Sequence, residues 1–291
     1  MRYAPTRWKD YELIDSGDGE KLERFGDVIL IRPETAAIWL KSLPEREWTS
    51  LAHGKFINKD KTSGYWKEFQ KLPEAWQISY PLGPEGLKFN LKLTKFKHVG
   101  IFPEHANNWE YIYETIGLFK KALPNEEIKI LNLFAYTGGA SLAACSAGAA
   151  VTHVDSIKQV VTWSRENMES SGLQDIRWTV EDALKFVQRE MKRGNKYHGV
   201  MLDPPAWGLG PKGERWKLED QVNTLLKSIA EILEEKHFVI LNTYSGLSPL
   251  VVENLALSYF KPEGLQAGEL CLLSSQGRYL PLGTVVRFDT L

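Results

Sequence analysis

From about residue 125 onward, short apolar runs alternate without interruption with longer amphipathic or small-residue stretches, and this rhythm restricts the chain to one fold class. Ile128–Phe134, Val151–Asp155, Ile176–Val180, Tyr197–Asp203 and Phe238–Thr243 read as strands. Between them, Gly138–Gly148, Ile157–Ser171 (closed by Gly172), Ala183–Lys192 and Glu214–Glu234 read as helices. Ser248–Tyr259 is a further helix, with Ser248 as its cap and Pro249 at its first position. Gly268–Ser275 and Thr284–Phe288 finish the chain as strands with no long helix between them. Strands alternating with helices of this length form βαβ units, hence a parallel sheet buried on both faces. Right-handed crossovers then wind it doubly. The expected fold is α/β: a Rossmann-like, doubly wound, mostly parallel seven-stranded sheet whose last strand, reached by a hairpin, runs antiparallel.

Upstream the pattern differs. Proline, glycine and aromatics interrupt strand-like runs such as Asp27–Arg32 and Leu87–Leu93. We therefore expect a small β-rich (α+β) domain over 1–85 and the wound domain over 86–291. Tryptophan, tyrosine and phenylalanine are concentrated in the first 120 residues beside lysine and histidine, as a base-stacking surface would be. The preferred reading is simpler: large rings fill the core of a small domain efficiently. Residues 41–100 hold 11 Lys/Arg against 6 Asp/Glu, but dispersed, as on a solvated face.

Over the whole chain 36 basic residues face 37 acidic ones, a balance that argues against a whole-protein polyanion binder and leaves room for a local basic patch. Cys145 and Cys271 lie in apolar segments outside any metal-type spacing, and His98, His105 and His153 share no such spacing either. They read as buried thiols and as hydrogen-bonded or exposed imidazoles, with no metal site. No secretory signal opens the sequence and no apolar run approaches the ~20 residues of a membrane span. A cytoplasmic protein without membrane partners is expected, as a monomer or a homodimer.

In a wound sheet, ligands bind beyond the carboxyl ends of the strands, so the residues just after each strand carry the functional reading. The first strand runs into Asn132-Leu-Phe-Ala-Tyr-Thr-Gly-Gly139, where Gly138 and Gly139 allow a tight turn and close approach to a ligand. Neither G-x-G-x-x-G nor Gly-Lys-Ser/Thr is present, which disfavours pyrophosphate binding and an NAD-dependent oxidoreductase. Asp155, followed by Ser156, ends the second strand; its carboxylate suits both ribose hydroxyls of an adenosine, or equally caps the next helix. Asp182-Ala183 ends the third and has the same two readings, with the adenine amino group as ligand. The fourth ends in Asp203-Pro-Pro-Ala-Trp207. Two prolines make a rigid, donor-free segment whose carbonyls, with Asp203, suit the amino group of a planar base, and Trp207 suits stacking upon it.

These motifs together resemble the class I S-adenosylmethionine (SAM)-dependent methyltransferases. Asn132-Leu-Phe-Ala-Tyr-Thr-Gly-Gly139 and Asp203-Pro-Pro205 are similar to the branch containing the large-subunit ribosomal RNA methyltransferases that modify cytosine C5 or guanine. Phe96–Trp109 resembles the segment that helps cover the cofactor in that branch, and the likeness spans about residues 87–289. The resemblance implies SAM as cofactor, giving S-adenosylhomocysteine (SAH). Its methionine part would lie against Asn132, Phe134, Ala135, Tyr136, Thr137, Gly138 and Gly139, with Phe102 and Glu104 covering the same pocket. Asp155 with Ser156 would hold the ribose and Asp182 with Ala183 the adenine, while Asp203, Pro204, Pro205 and Trp207 would face the substrate.

Two departures shape the expected reaction. Asn132 stands where the branch often has an acid, so it lacks a charge to pair with the SAM amino group. Members that methylate cytosine C5 carry a cysteine just after the fifth strand, where this chain reads Leu241-Asn-Thr-Tyr-Ser-Gly246. Without a thiolate to add to the ring, C5 chemistry is disfavoured. Methylation of a nitrogen needs mainly positioning and an acceptor. The expected function is methylation of a nucleobase nitrogen in RNA, most simply ribosomal RNA. The alternatives are a protein or small-molecule methyl acceptor, or a non-catalytic RNA-binding protein.

Overall fold

The computed structural model describes residues 1–60, 63–244 and 246–291, and the backbone alone of Glu263. Strand β1 (Arg2–Tyr3) is followed by β2 (Tyr11–Gly17), β3 (Glu20–Phe25), β4 (Val28–Pro33), helix α1 (Glu45–Leu51), β5 (Gly54–Asn58) and β6 (Gly64–Glu68). Strands β2 to β6 form a five-stranded sheet in sequence order, antiparallel except for the β4–β5 pair. Helix α1 buries Trp48 against Leu22 and Ile31 of this sheet. The buried Asp15 carboxylate gathers the chain entering α1, accepting from Ser42 N and Leu43 N (2.9 Å each) and from Trp48 Nε1 (3.0 Å).

A hairpin of β7 (Ala75–Tyr80) and β8 (Leu87–Lys92) comes next. It is clamped to the wound part by Trp163 Nε1 donating to Asn90 O (2.6 Å) and Asn90 N donating to Asn167 Oδ1 (2.8 Å). Trp8, Tyr11, Tyr80, Phe89 and Trp109 pack ring against ring with centroids 4.6–6.0 Å apart, so these aromatics fill core.

Helix α2 (Ala106–Ala122) leads into β9 (Lys129–Leu133), α3 (Gly139–Ser146), β10 (Ala150–Asp155), α4 (Lys158–Ser170), β11 (Ile176–Val180), α5 (Ala183–Arg193) and β12 (Tyr197–Leu202). There follow a short hairpin of β13 (Trp207–Leu209) and β14 (Arg215–Lys217), α6 (Leu218–Ala230), β15 (Leu233–Thr243), α7 (Pro249–Leu257), β16 (Glu263–Leu273) and β17 (Tyr279–Asp289). The large sheet has the order β1-β16-β17-β15-β12-β9-β10-β11. β9 to β12 and β15 are mutually parallel, and β17 is antiparallel to both β15 and β16. The central strands are largely apolar because both faces are covered: Ile130, Met201 and Ile240 face α2 and α3, whereas Leu131, Val200 and Leu241 face α5, α6 and α7. The seven-stranded, doubly wound expectation is met by β9 to β12 and β15 to β17, and an eighth strand is added.

That eighth strand is β1, which lies along the edge of β16 with Arg2 opposite Glu269 and Tyr3 opposite Leu270. An edge strand offers unpaired backbone groups that a passing segment can satisfy, and two residues leave no periodicity to read. The helix expected over Glu214–Glu234 is also corrected. Arg215–Lys217 is extended, pairing with Trp207–Leu209, the helix is confined to Leu218–Ala230, and β15 already begins at Leu233. Ser248 caps α7 as expected, accepting from Val251 N, with Pro249 at the first position. Among the described residues no helix is long and apolar enough to cross a membrane.

Candidate active site

Four neighbouring strands end on the same side of the sheet, and the turn after β9 is held under strain there. Phe134 (φ 54°), Tyr136 (φ 49°) and Gly138 (φ 90°) all adopt left-handed backbone. For the two non-glycine residues that conformation costs about 1–3 kcal/mol each and persists only where the surroundings enforce it. Here they do: Tyr136 N donates to Asp155 Oδ2 (2.9 Å), Ser164 Oγ to Tyr136 O (2.6 Å), Asn167 Nδ2 to Thr137 O (3.0 Å) and Thr137 Oγ1 to Gly100 O (2.7 Å). Gly139 is required for a different reason than ligand approach, because a Cβ there would sit 2.5 Å from the ring of Trp109. Asn132, buried under the turn, donates to Ser141 Oγ (2.9 Å), which contacts His153 Nδ1 at 3.0 Å. Burial lowers the His153 imidazole to about 3, so it is a neutral hydrogen-bonding core residue.

Two cavities flank this turn and share the Phe134 side chain as a wall. The larger, about 570 Å³, is lined by Asn132, Phe134 to Gly139, Phe102, His105, Asn108, Asp203 and Asn242, among others. The smaller, about 370 Å³, is lined by Asp155, Ser156, Asp182, Ala183, Pro205 and Trp216 around the same phenylalanine. Asp155 accepts from Tyr136 N and from Ile157 N (2.9 Å each), with the backbone of Ser156 as a further donor, so its two oxygens still keep acceptor capacity for a ligand. Burial raises its carboxyl against the pull of these backbone bonds. Asp182 is the N-cap of α5, accepting from Lys185 N (2.9 Å), and borders the cavity as well. Asp182 thus both caps its helix and lines the cavity, whereas Asp155 lines the cavity without capping α4, whose N-cap is Ile157 with no side-chain cap bond.

At the end of β12, Asp203 sits where burial pushes its carboxyl up to about 6, with His105 opposing that rise and Glu104 adding to it. Its Oδ2 lies 3.6 Å from His105 Nε2, while Oδ1 is buried with no hydrogen-bond partner among the described residues. His105 is in turn held below the usual imidazole range, first by burial. It contacts the hydroxyl of Tyr244, which also donates to Glu104 Oε1 (3.0 Å). Phe102 closes the wall, its ring 5.0 Å from Tyr136 and 5.7 Å from Tyr244.

Several expected site residues are placed differently. Glu104 lies behind the wall, buried and bonded to Tyr244, and Phe102 rather than Glu104 lines the cavity. Pro204 is buried beneath the strand end. The carbonyl of Pro205 already accepts from Trp216 Nε1 (2.6 Å). Trp207 is 62% exposed and lines neither cavity. In the β13–β14 register Gly208 faces Trp216 and Trp207 faces Lys217, so alternation turns Trp216 inward onto Phe134 (4.9 Å) and Trp207 outward. The helical reading of residues 214–217 concealed this. His105 and Asn108 fall within the Phe96–Trp109 resemblance, and Asn242 and Tyr244 within the segment that lacks the cysteine, but no motif singles out any of the four as a site residue. Ser245, part of the segment read as lacking a nucleophilic cysteine, lies outside the described residues. Neither Cys145, in α3, nor Cys271, in β16, lines either cavity.

Comparison with known proteins agrees with this architecture. The family described as "Conserved hypothetical protein 95" matches residues 103–262. A crystal structure of a SAM-dependent methyltransferase from Agrobacterium tumefaciens superposes with a TM-score of 0.90 at 36% identity, over 99% of this chain and 93% of that one. Ribosomal RNA large subunit methyltransferase K of Neisseria meningitidis is 24% identical over 205 residues, 67% of this chain and 54% of that protein. Methyltransferase K/L of Pseudoalteromonas translucida is 32% identical over 198 residues, 67% of this chain and 24% of that protein. The chain thus spans about half of the first of these two relatives and about a quarter of the second.

Proposed function

We propose that this chain, which belongs to the Conserved hypothetical protein 95 family and is a class I SAM-dependent methyltransferase, methylates a nucleobase nitrogen in RNA, with ribosomal RNA as the favoured substrate. The observation that carries the reading is the Asp203 carboxylate, which lines the larger cavity beside the strained turn while its Oδ1 is buried without a hydrogen-bond partner among the described residues. A carboxylate left in this state is costly unless a ligand completes it.

The residues fit SAM. Ala135, Tyr136 and Thr137 of the left-handed turn line the larger cavity, where the methionine part would lie against Asn132. Asp155, with acceptor capacity left, and Ser156 would hold the ribose, and Asp182 with Ala183 the adenine. Phe134 would separate the two halves. When bound, SAM supplies an electrophilic methyl on sulfonium, whose transfer breaks the S–CH3 bond, forms an N–CH3 bond and leaves a neutral thioether.

The protein's share is orientation and proton management. Asp203 accepts an N–H of the target amine, aligning its lone pair, and takes up the proton the methylated nitrogen releases. With its carboxyl at about 6, Asp203 is mostly ionised near neutral pH yet basic enough to hold that proton. His105, itself held by Tyr244, backs the carboxylate at 3.6 Å, and Phe102 walls the cavity. No cysteine is needed, consistent with Cys145 and Cys271 lying away from both cavities. In this reading the chain works in the cytoplasm, and residues 1–85 recognise substrate while 86–291 perform the chemistry.

Incubating the full chain with tritiated SAM and separated RNA and protein fractions tests the proposal. Label is expected in RNA, recovered after digestion as an N-methylated nucleoside. Label confined to protein, or absent from every RNA fraction, overturns it.

A further inference from the structure

The floor of the larger cavity carries a chain of side chains whose donor and acceptor order is dictated from outside the site. It starts at Arg287 on β17, sandwiched between the rings of Tyr3 and Tyr111 with its guanidinium carbon 4.5 and 4.4 Å from their centroids. Arg287 Nε donates to Gln266 Oε1 (2.9 Å), and Nη1 donates to Asn107 Oδ1 (3.0 Å) and Asn108 Oδ1 (3.3 Å). A guanidinium has only donors, so Asn108 must turn its oxygen toward Arg287. Its NH2 is then committed to the other side, where it donates to Asn242 Oδ1 at 3.1 Å. Asn242 therefore has its oxygen occupied and offers its own NH2 to the cavity it lines. An asparagine amide is otherwise free to present either end. Here the arginine decides.

The position of Asn242 matters as much as its orientation. Leu202 and Leu241 are the last partners in the β12–β15 register, so Asp203, the first residue after β12, and Asn242 of β15 come next on adjacent segments. Both line the larger cavity. Its floor thus brings an acceptor, the Asp203 carboxylate, next to a donor, the Asn242 amide.

We propose that Asn242 is a specificity-determining residue that reads the atom adjacent to the methylated nitrogen. The target base must carry an N–H toward Asp203 and, beside it, a hydrogen-bond acceptor toward Asn242. An exocyclic amine next to a ring nitrogen meets this condition, as in cytosine, adenine or the N2–N3 edge of guanine; uracil offers the same donor–acceptor order only with its ring N3–H beside a carbonyl and has no exocyclic amine to methylate, and the exocyclic amine is the proposed target. Arg287 and Asn108 are positioning residues that act through Asn242. The inference rests on the nucleobase reading of the preceding subsection and adds what that reading leaves open: which edge of the base is recognised.

The test uses the full chain and the RNA that the wild type labels. Asn242→Asp is isosteric and replaces the donor by an acceptor. It is expected to keep SAM affinity within about threefold by calorimetry and to lower kcat/KM for that RNA by about 10- to 100-fold, the loss of one buried hydrogen bond plus a repulsion. Arg287→Met should lower kcat/KM in the same direction, and Arg287→Lys, which still donates toward Asn108, should recover part of it. A measurement on the unmodified protein needs no variant to fold. By saturation-transfer NMR, the SAH-loaded wild type should bind the nucleoside it methylates more strongly than the deaza analogue lacking the adjacent ring nitrogen, and Asn242→Asp should lose that preference. Equal binding of the two nucleosides by the wild type overturns the inference, as does a folded Asn242→Asp that methylates the same base at full rate. An Asn242→Asp whose SAM affinity falls as far as its kcat/KM overturns it too, since Asn242 would then serve the cofactor. Absence of RNA label with the wild type overturns the RNA reading and this inference with it, whereas labelled RNA with an indifferent Asn242 overturns the inference alone.

Discussion

His105 Nε2 lies 3.6 Å from Asp203 Oδ2, and the second carboxylate oxygen of Asp203 is buried with no partner among the described residues. The two side chains come from segments almost 100 residues apart, and neither is ordinarily charged as it would be in water. Burial pushes the Asp203 carboxyl up to about 6 and holds the His105 imidazole below its usual range. Asp203 is a proton acceptor tuned near neutrality, with one oxygen beside His105 and the other buried and unpartnered, on a side chain that lines the larger cavity.

If Asp203 accepts the proton of the target amine, turnover requires its ionised form. kcat/KM should then be level above pH 7 and fall as pH drops through about 6, because the raised carboxyl protonates there. Asp203→Asn should erase this acid limb and lower kcat by about 100-fold or more, the usual share of a positioned base, with SAM affinity nearly unchanged. His105→Gln should move the limb to higher pH, since His105 opposes the rise of the Asp203 carboxyl. A pH–rate profile of the three proteins decides the matter. An acid limb that survives in Asp203→Asn assigns the titration to another group.

Asp155→Ala should weaken SAM binding severely. The carboxylate would lose two ribose contacts and also the bonds from Tyr136 N and Ile157 N that hold the strained turn. Charged hydrogen bonds contribute about 1.5–3 kcal/mol each, so a fall in affinity of at least 100-fold is expected by calorimetry. Affinity within a few-fold of wild type would remove Asp155 from the cofactor site.

Gly139→Ala tests the packing of the turn rather than its chemistry. The new methyl would meet the buried Trp109 ring at 2.5 Å, and overpacking of this kind costs about 1–3 kcal/mol. The melting temperature should fall by several degrees, by about 2–4 °C for each kcal/mol. An unchanged melting temperature would mean that Trp109 moves aside at no cost.

Replacing both Cys145 and Cys271 by serine should leave methyl transfer intact in the folded protein, because neither thiol lines a cavity. Burial also raises both thiols, away from the thiolate form. Loss of transfer in a folded double variant, as judged by circular dichroism, would restore a thiolate mechanism.

The wound sheet, its helix order, the glycine turn after β9 and the aspartates closing β10 and β12 were legible in the residue pattern. Each depends on local chemistry: apolar runs that must be covered on both faces, a left-handed turn that needs Gly138, a proline pair that stops a strand. Packing and register decided what local pattern leaves open. Trp207 and Trp216 are equally plausible stacking residues until the β13–β14 pairing turns one outward and the other onto Phe134. Arg2–Tyr3 is too short to announce an eighth strand until the edge of β16 offers it partners. His105, Tyr244 and Asn242 have ordinary neighbours in sequence, and they acquire a role only because 3₁₀ turn 103–105 and the end of β15 are folded against Asp203. Periodicity is a property of adjacent residues and survives in one dimension. Hydrogen-bond order across a cavity floor is a property of distances between distant segments, and it exists only once the sheet has closed.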